Sequence, residues 1–201
     1  MNLPTRGQVT RQQILDAAQR LIEKEGFSRL TTKDIASEAG LAEGTIFKHF
    51  KSKDDLCLAV VLENSPKFKT VLSEKRAGKG SVQRNLEEIA RTALEFSEKL
   101  IPLAAAMFAD AKLLARQRQV VNETGRGPKD AFDLIATYIS EEQELGRINR
   151  KVVPLMVSAL LLGPCFHRAF IRQGLGKHLL PMNDQEFAAA LAATLMHGLQ
   201  P

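Results

Sequence analysis

Apolar residues recur at three- and four-residue spacing along nearly the whole chain, and no stretch alternates in the way a half-buried strand would. The pattern predicts an all-α fold of about nine helices. Ile14, Ala18, Leu21 and Ile22 mark the inner stripe of a first helix, roughly 11–24, with Thr10 and Gln13 as its capping box and Gly26 as its end. Ser52 and Asp55 cap a longer helix that starts at Lys53 and should bend near Pro66. Residues 73–81 are polar and glycine-containing, so they read as a loop. Leu86, Ile89, Ala93, Phe96 and Leu100 then share one side of a helix, and Pro102 is placed to open the next, with Met107, Phe108, Ala111 and Leu114. Pro128 starts a helix holding Phe132, Ile135, Tyr138 and Ile139. Two further helices, roughly 152–173 and 183–199, close the chain, the second with Asn183 and Glu186 as a capping box.

The segment 30–56 is the most informative. Thr31, with Asp34 three residues on, is placed to cap a short helix whose apolar face is Ile35, Ala36 and Ala39. Gly40 ends it, since glycine enters a left-handed turn without a side-chain clash. A second short helix, about 43–50, has Ile46 and Phe50 on one side and leaves Thr45, Lys48 and His49 on the other. Two short helices joined by a tight turn, the second showing small polar and basic groups, form the helix-turn-helix arrangement that seats a helix in the DNA major groove.

On these residues the segment resembles the DNA-binding half of the TetR family of bacterial transcriptional repressors. The matching run is Thr31, Thr32, Asp34, Ile35 and Ala36, then Ala39, Gly40 and Leu41, then Gly44, Thr45, Ile46, Phe47, His49, Phe50, Lys53 and Leu56. It covers about a quarter of the chain; the remainder agrees in length and helical character. The resemblance implies a helix-turn-helix DNA-binding domain over 1–51 and a ligand-binding and dimerisation domain over 52–201. It further implies a repressor that binds a palindromic operator as a homodimer and is released by a small hydrophobic ligand, with no cofactor; two cysteines without a disulfide framework make a reduced, cytoplasmic setting the economical reading.

Residue by residue, Thr31, Thr32 and Lys33 lie at a helix start, where free N–H groups attract an anion, and are expected at backbone phosphates. For Thr31 a simple cap is the equal alternative. Gly44 lets the second helix approach the duplex closely. Thr45 and Lys48 are the candidates for base edges, Lys48 at guanine. His49 and Lys53 match family positions that touch phosphate, with a solvated lysine as the plainer reading of Lys53. Arg6 and Arg11 extend the footprint along the N-terminal arm. Three residues depart from the family pattern. Ala42 stands where serine is common, which removes a cap. Phe47 stands where tyrosine is frequent, so its ring can meet sugar but cannot donate to phosphate. Glu43 is acidic at the groove-facing end and either accepts from a cytosine amino group or stabilises the helix start, the second being favoured.

Family likeness also implies that the last two helices meet a two-fold mate, through Val157, Leu160 and Leu161 on one and Phe187, Leu191, Leu195 and Met196 on the other. Periodicity leaves open that these faces fill the monomer core instead. Phe96, Leu100, Met107, Phe108, Tyr138, Phe166 and Phe170 could line an apolar chamber, with Tyr138 and His167 as polar handles; each taken singly reads equally as core.

Composition adds little. Lys and Arg number 28 against 23 Asp and Glu, a formal charge of +5 that suits an anionic partner without requiring one. Cys57 and Cys165 form no disulfide framework or zinc spacing. Cys165 and His167, two apart on a helix, do not face each other, and no Gly-rich phosphate loop, paired-carboxylate motif or HExxH helix is present, so an enzyme is disfavoured. The longest uncharged run, 152–166, is too short for a membrane span and reads as a buried helix. A ligand-independent DNA-binding or architectural protein is the alternative function.

Overall fold

The structure, a computed structural model, describes residues 4–25, 30–63, 70–71, 76–124 and 127–199. Among these the chain forms nine helices and no strand: α1 (Arg6–Glu25), α2 (Thr32–Glu38), α3 (Glu43–His49), α4 (Lys53–Glu63), α5 (Val82–Ala109), α6 (Ala111–Thr124), α7 (Pro128–Glu144), α8 (Pro154–Leu175) and α9 (Asp184–Leu199). The expected end of α1 at Gly26 and the bend near Pro66 lie outside the described residues.

Most caps fall where the sequence places them. Thr31 and Asp34 form a complete capping box on α2, Ser52 Oγ accepts from the Asp55 N–H at 3.0 Å, and Asn183 and Glu186 exchange bonds of 2.8 and 2.9 Å before α9. Two boundaries differ. The box on α1 is Thr5 with Gln8, not Thr10 with Gln13: the Thr5 N–H donates to Gln8 Oε1 at 2.8 Å. Thr10 lies inside the helix, its hydroxyl bonded back to the Arg6 carbonyl. Two Thr-x-x-Gln pairs compete, and the earlier one adds a further hydrogen-bonded turn. Pro102 likewise sits inside α5 rather than opening a new helix. A proline deletes one N–H from the ladder but does not forbid continuation when flanking residues are buried, and Ile101 and Leu103 are.

The chain divides into two compact units, Met1–Asn64 with Pro102–Gly125, and Ser65–Ile101 with Arg126–Pro201. The first extends past the boundary expected near Lys51. Leu56, Cys57, Ala59 and Val60 of α4 are buried in one cluster with Ile14, Leu15, Ala18 and Ile22 of α1 and Ile35 and Ile46 of α2 and α3. Those α4 side chains lie in the same cluster as the inner faces of α1, α2 and α3, so α4 belongs to the head's core.

In the second unit, Leu86, Ile89, Ala93 and Leu94 of α5 pack with Ile135 and Ile139 of α7, Val157, Leu161 and Cys165 of α8, and Phe187, Ala188 and Ala192 of α9. Two polar groups are built into it. Glu142 is fully buried, paired with Arg147 Nε at 3.2 Å, and accepts from the Gly78 N–H at 3.3 Å. Arg147 also donates to the Gly80 carbonyl at 2.7 Å, so the pair holds the turn whose Gly78 and Gly80 have φ of 75° and 59°. Arg168, nearly buried, donates to Asp184 Oδ1 at 2.8 Å and to the Met182 carbonyl at 2.6 Å and lies over the Phe187 ring, fastening α8 to the start of α9.

α8 corrects the expectation drawn from 152–166. The whole helix has 22 residues with a mean hydropathy of 1.4 over its best window, long and apolar enough by that measure to span a membrane, although core helices pass the same test. It is not a buried helix throughout. One side, Val157, Leu161, Cys165 and Ala169, is in the core, while Met156, Leu160 and Phe170 on the other are exposed.

Candidate nucleic-acid interface

The head is built so that one surface of α3 has no role in holding it together. Ile46 is fully buried and Phe50 nearly so, and four-residue spacing puts both on the inner side. Gly44, Phe47 and Lys48, related by three and four residues, occupy the opposite side, and Thr45 and His49 flank it half-buried. Phe47 is 54 % exposed, which no folding requirement explains. A Cβ built on Gly44 meets nothing within 4 Å, so the fold of this chain leaves room for a side chain there.

The turn before α3 fixes its direction. Ala39 ends α2, Gly40 takes φ 66°, and the Leu41 N–H returns to the Ala36 carbonyl at 2.8 Å. Ala42 makes no side-chain cap, as its methyl group dictates. From α1, the Arg11 guanidinium lies 4.3 Å from the centre of the Phe50 ring, and Gln13 Nε2 donates to the Ala39 carbonyl at 3.3 Å. Arg20 closes on Glu38 at 2.8 Å. These contacts hold the end of α3 and the end of α2 against α1.

At the start of α2, the Thr31 hydroxyl accepts from the Asp34 N–H and approaches the Asp34 carboxylate at 2.5 Å, so it serves as a cap. Lys33 is exposed, Thr32 and Lys53 are half-buried. Thr32 Oγ1 lies 2.6 Å from Glu43 Oε1, a tie between the first turns of α2 and α3. Sequence reading missed this bond, because an eleven-residue separation carries no periodic signal. Arg11, expected along the phosphate footprint, is turned toward Phe50 instead.

The residues expected at a dimer interface divide. Val157, Leu161 and Phe187 are core residues of one chain, and Leu191, Leu195 and Met196 pack against that core half-buried. Only Leu160 of the seven is exposed, at 53 %. Core packing claims whichever stripe is continuous with its neighbours, and spacing alone does not say which stripe that is. The expected chamber residues also separate. Tyr138 is buried, its hydroxyl accepting from Asn85 Nδ2 at 3.1 Å, and Phe96 and Leu100 are half-buried on α5. Phe166, His167 and Phe170 lie exposed on α8, away from the core. Met107 packs with Leu113, and Phe108 is 71 % exposed. Cys165 and His167 point apart, one fully buried and one exposed.

A rigid three-helix scaffold with a turn-mounted third helix, its free side carrying a glycine, an exposed ring and a lysine, defines a helix-turn-helix DNA-binding head. Residues 14–60 match the family "Bacterial regulatory proteins, tetR family". Over 193 residues the chain is 26 % identical to YvkB of Bacillus subtilis (strain 168), an uncharacterized HTH-type transcriptional regulator, covering 94 % of this chain and 97 % of that protein. The fold is shared with the fatty acid degradation regulator FadR from Bacillus halodurans, at a TM-score of 0.72, 17 % identity and 96 % coverage of each chain. It is shared too with the transcriptional regulator FadR from Bacillus subtilis in complex with stearoyl-CoA, at a TM-score of 0.70, 20 % identity and coverage of 93 % of this chain and 98 % of that one. Residues 14–60 thus carry a TetR-family DNA-binding domain, and the chain is a DNA-binding transcriptional regulator; that family is one of regulators, not enzymes.

Proposed function

We propose that this regulator is a cytoplasmic repressor that binds a palindromic operator as a homodimer and leaves it on binding a small hydrophobic ligand. One observation carries the DNA side: the free face of α3, where Gly44, Phe47 and Lys48 stand clear of the core. Lys48 and Thr45 read base edges in this scheme, Phe47 packs on sugar, and Lys33, His49 and Lys53 meet phosphate, with Thr32 beside them. Thr31 is assigned to capping. Residues 1–51 supply the reading surface, with α4 as its support.

Support for a dimer comes from α8. Met156, Leu160, Gly163, His167 and Phe170 form one exposed stripe directly opposite the buried one. Met156, Leu160 and Phe170 are each more than half exposed, an apolar surface of the kind that marks an interface. We assign Phe166 and Phe170 to that interface and not to a ligand chamber. A two-fold mate would double the number of base contacts, since one short helix spans only a few base pairs. The ligand class rests on the similar fold solved with stearoyl-CoA.

Selection of bound fragments from the source genome tests the reading. Recovery of two-fold symmetric sites bound by a dimer, with release on adding stearoyl-CoA as probe, is the expected result. Asymmetric sites bound by a monomer would overturn the dimeric scheme, and operator binding that stearoyl-CoA does not alter would overturn the ligand class read from that similar fold.

A further inference from the structure

We infer that Glu43 is a specificity-determining residue that, through its bond to Thr32, holds the reading surface off non-operator DNA; the inference rests on the DNA-binding assignment of α3. The carboxylate sits in the first turn of α3, exposed, beside Gly44 and Phe47. Its Oε1 accepts the Thr32 hydroxyl at 2.6 Å. Two consequences follow. A negative charge stands on a surface that otherwise presents Lys33, Lys48 and half-buried His49. The Thr32 hydroxyl hydrogen is also committed, so it cannot be donated to a phosphate while the pair persists.

A duplex that docks here must draw its phosphates toward that carboxylate and strip water from the oxygen that Thr32 does not reach, and a buried acceptor left without a donor is costly. Only a base edge with an amino hydrogen in the major groove, cytosine N4 or adenine N6, offsets the cost. A site with that base in register replaces the Thr32 bond with an equivalent one and frees the hydroxyl for phosphate. Every base pair carries one such amino group, but a random duplex presents it on the strand that Glu43 reaches at only about half of its positions. Discrimination by penalising the wrong partner needs such a repulsive element as well as attractive contacts. Glu43 supplies it without adding a single favourable contact to non-operator DNA.

Glu43→Gln tests this, because glutamine keeps an acceptor for Thr32 while losing the charge, read beside Glu43→Ala, which loses the charge without adding an amide donor. Binding of wild type and both variants is measured across a salt series on the selected operator and on a shuffled duplex of equal length, with melting curves to show equal folding. Each variant should bind the shuffled duplex about fivefold more tightly, the size of one unit-charge repulsion near 4 Å in water. The operator should gain less, so the specificity ratio falls. Equal affinity of wild type and variants for the shuffled duplex, or equal gains on both duplexes, overturns the inference while operator selection by the wild type leaves the regulator assignment standing. A wild type that binds no duplex would overturn that assignment, and this one with it.

Discussion

Leu160 and Leu161 are consecutive on α8, about 100° apart around its axis, and divide between core and solvent: Leu161 is fully buried in the second unit's core, and Leu160 is 53 % exposed. The two substitutions should therefore separate folding from assembly. Leu161→Ala removes buried methyl groups and should cost about 2–5 kcal/mol of stability. Leu160→Glu should leave the melting of the monomer nearly unchanged while converting the dimer to monomer in sedimentation, with weaker operator binding. A Leu160→Glu variant that still sediments as a dimer would reject this stripe as the interface.

Gly44 offers the same separation in the head. Nothing lies within 4 Å of an added Cβ, so Gly44→Ala should preserve the fold and add up to about 1 kcal/mol through helix propensity. Operator affinity should nevertheless fall, because the methyl group stands between α3 and the groove floor. Equal operator affinity in a gel-shift titration would show that the face does not approach DNA.

Lys48→Ala and Lys53→Ala should differ in kind. Loss of a base-edge contact lowers operator affinity by about 1–3 kcal/mol and relaxes the preference at one base pair. Loss of a phosphate contact weakens all duplexes alike and reduces the salt slope by about one. Footprints and salt slopes unchanged in both variants would place the groove elsewhere.

The helix-turn-helix was legible because its signals are local. Thr31 and Asp34 are three apart, Gly40 marks the turn, and Ile46 and Phe50 define an inner side within one helix, so cap, turn and periodicity all act inside a 20-residue window. What the sequence did not disclose depends on partners distant in the chain. α8 is apolar on nearly every side, and only the packing of Val157 and Leu161 against α5 and α7 decides that Leu160 is the side left over. Phe166 and Phe170 were ambiguous for the same reason: large aromatic residues on an apolar helix suit a chamber, a core or an interface equally. The Thr32 bond to Glu43 joins two helices, and a capping rule read along either one alone cannot reveal it.

Arg147 and Glu142 make the second unit sensitive to a single charge. Glu142 is fully buried and Arg147 is its ion-pair partner at 3.2 Å. Arg147→Ala leaves that carboxylate uncompensated and should cost about 3 kcal/mol in chemical denaturation. Adding Glu142→Gln to it should restore part of the loss, since a neutral amide needs no counter-charge. If the double variant were no more stable than Arg147→Ala, the charge would not be the cause, and the lost Arg147 bond to the Gly80 carbonyl would account for the effect instead.

The two thiols set a limit at alkaline pH. Burial pushes Cys57 and Cys165 up from 9.0 to about 12, Lys53 and Arg168 respectively offsetting only part of that effect. The folded state thus keeps both protons through a range where the unfolded chain releases them. The associated stability is complete below about pH 9 and is lost as pH rises from there toward about 12. Denaturation midpoints should fall between about pH 8 and about pH 10.5, and fall less in Cys57→Ala and Cys165→Ala. Near neutral pH neither thiol should react with a thiol reagent until the protein is unfolded, because the thiolate is the reactive form and both sulfurs are buried. Rapid labelling of the native protein would show that one of these cores opens, and the choice of cysteine labelled would say which.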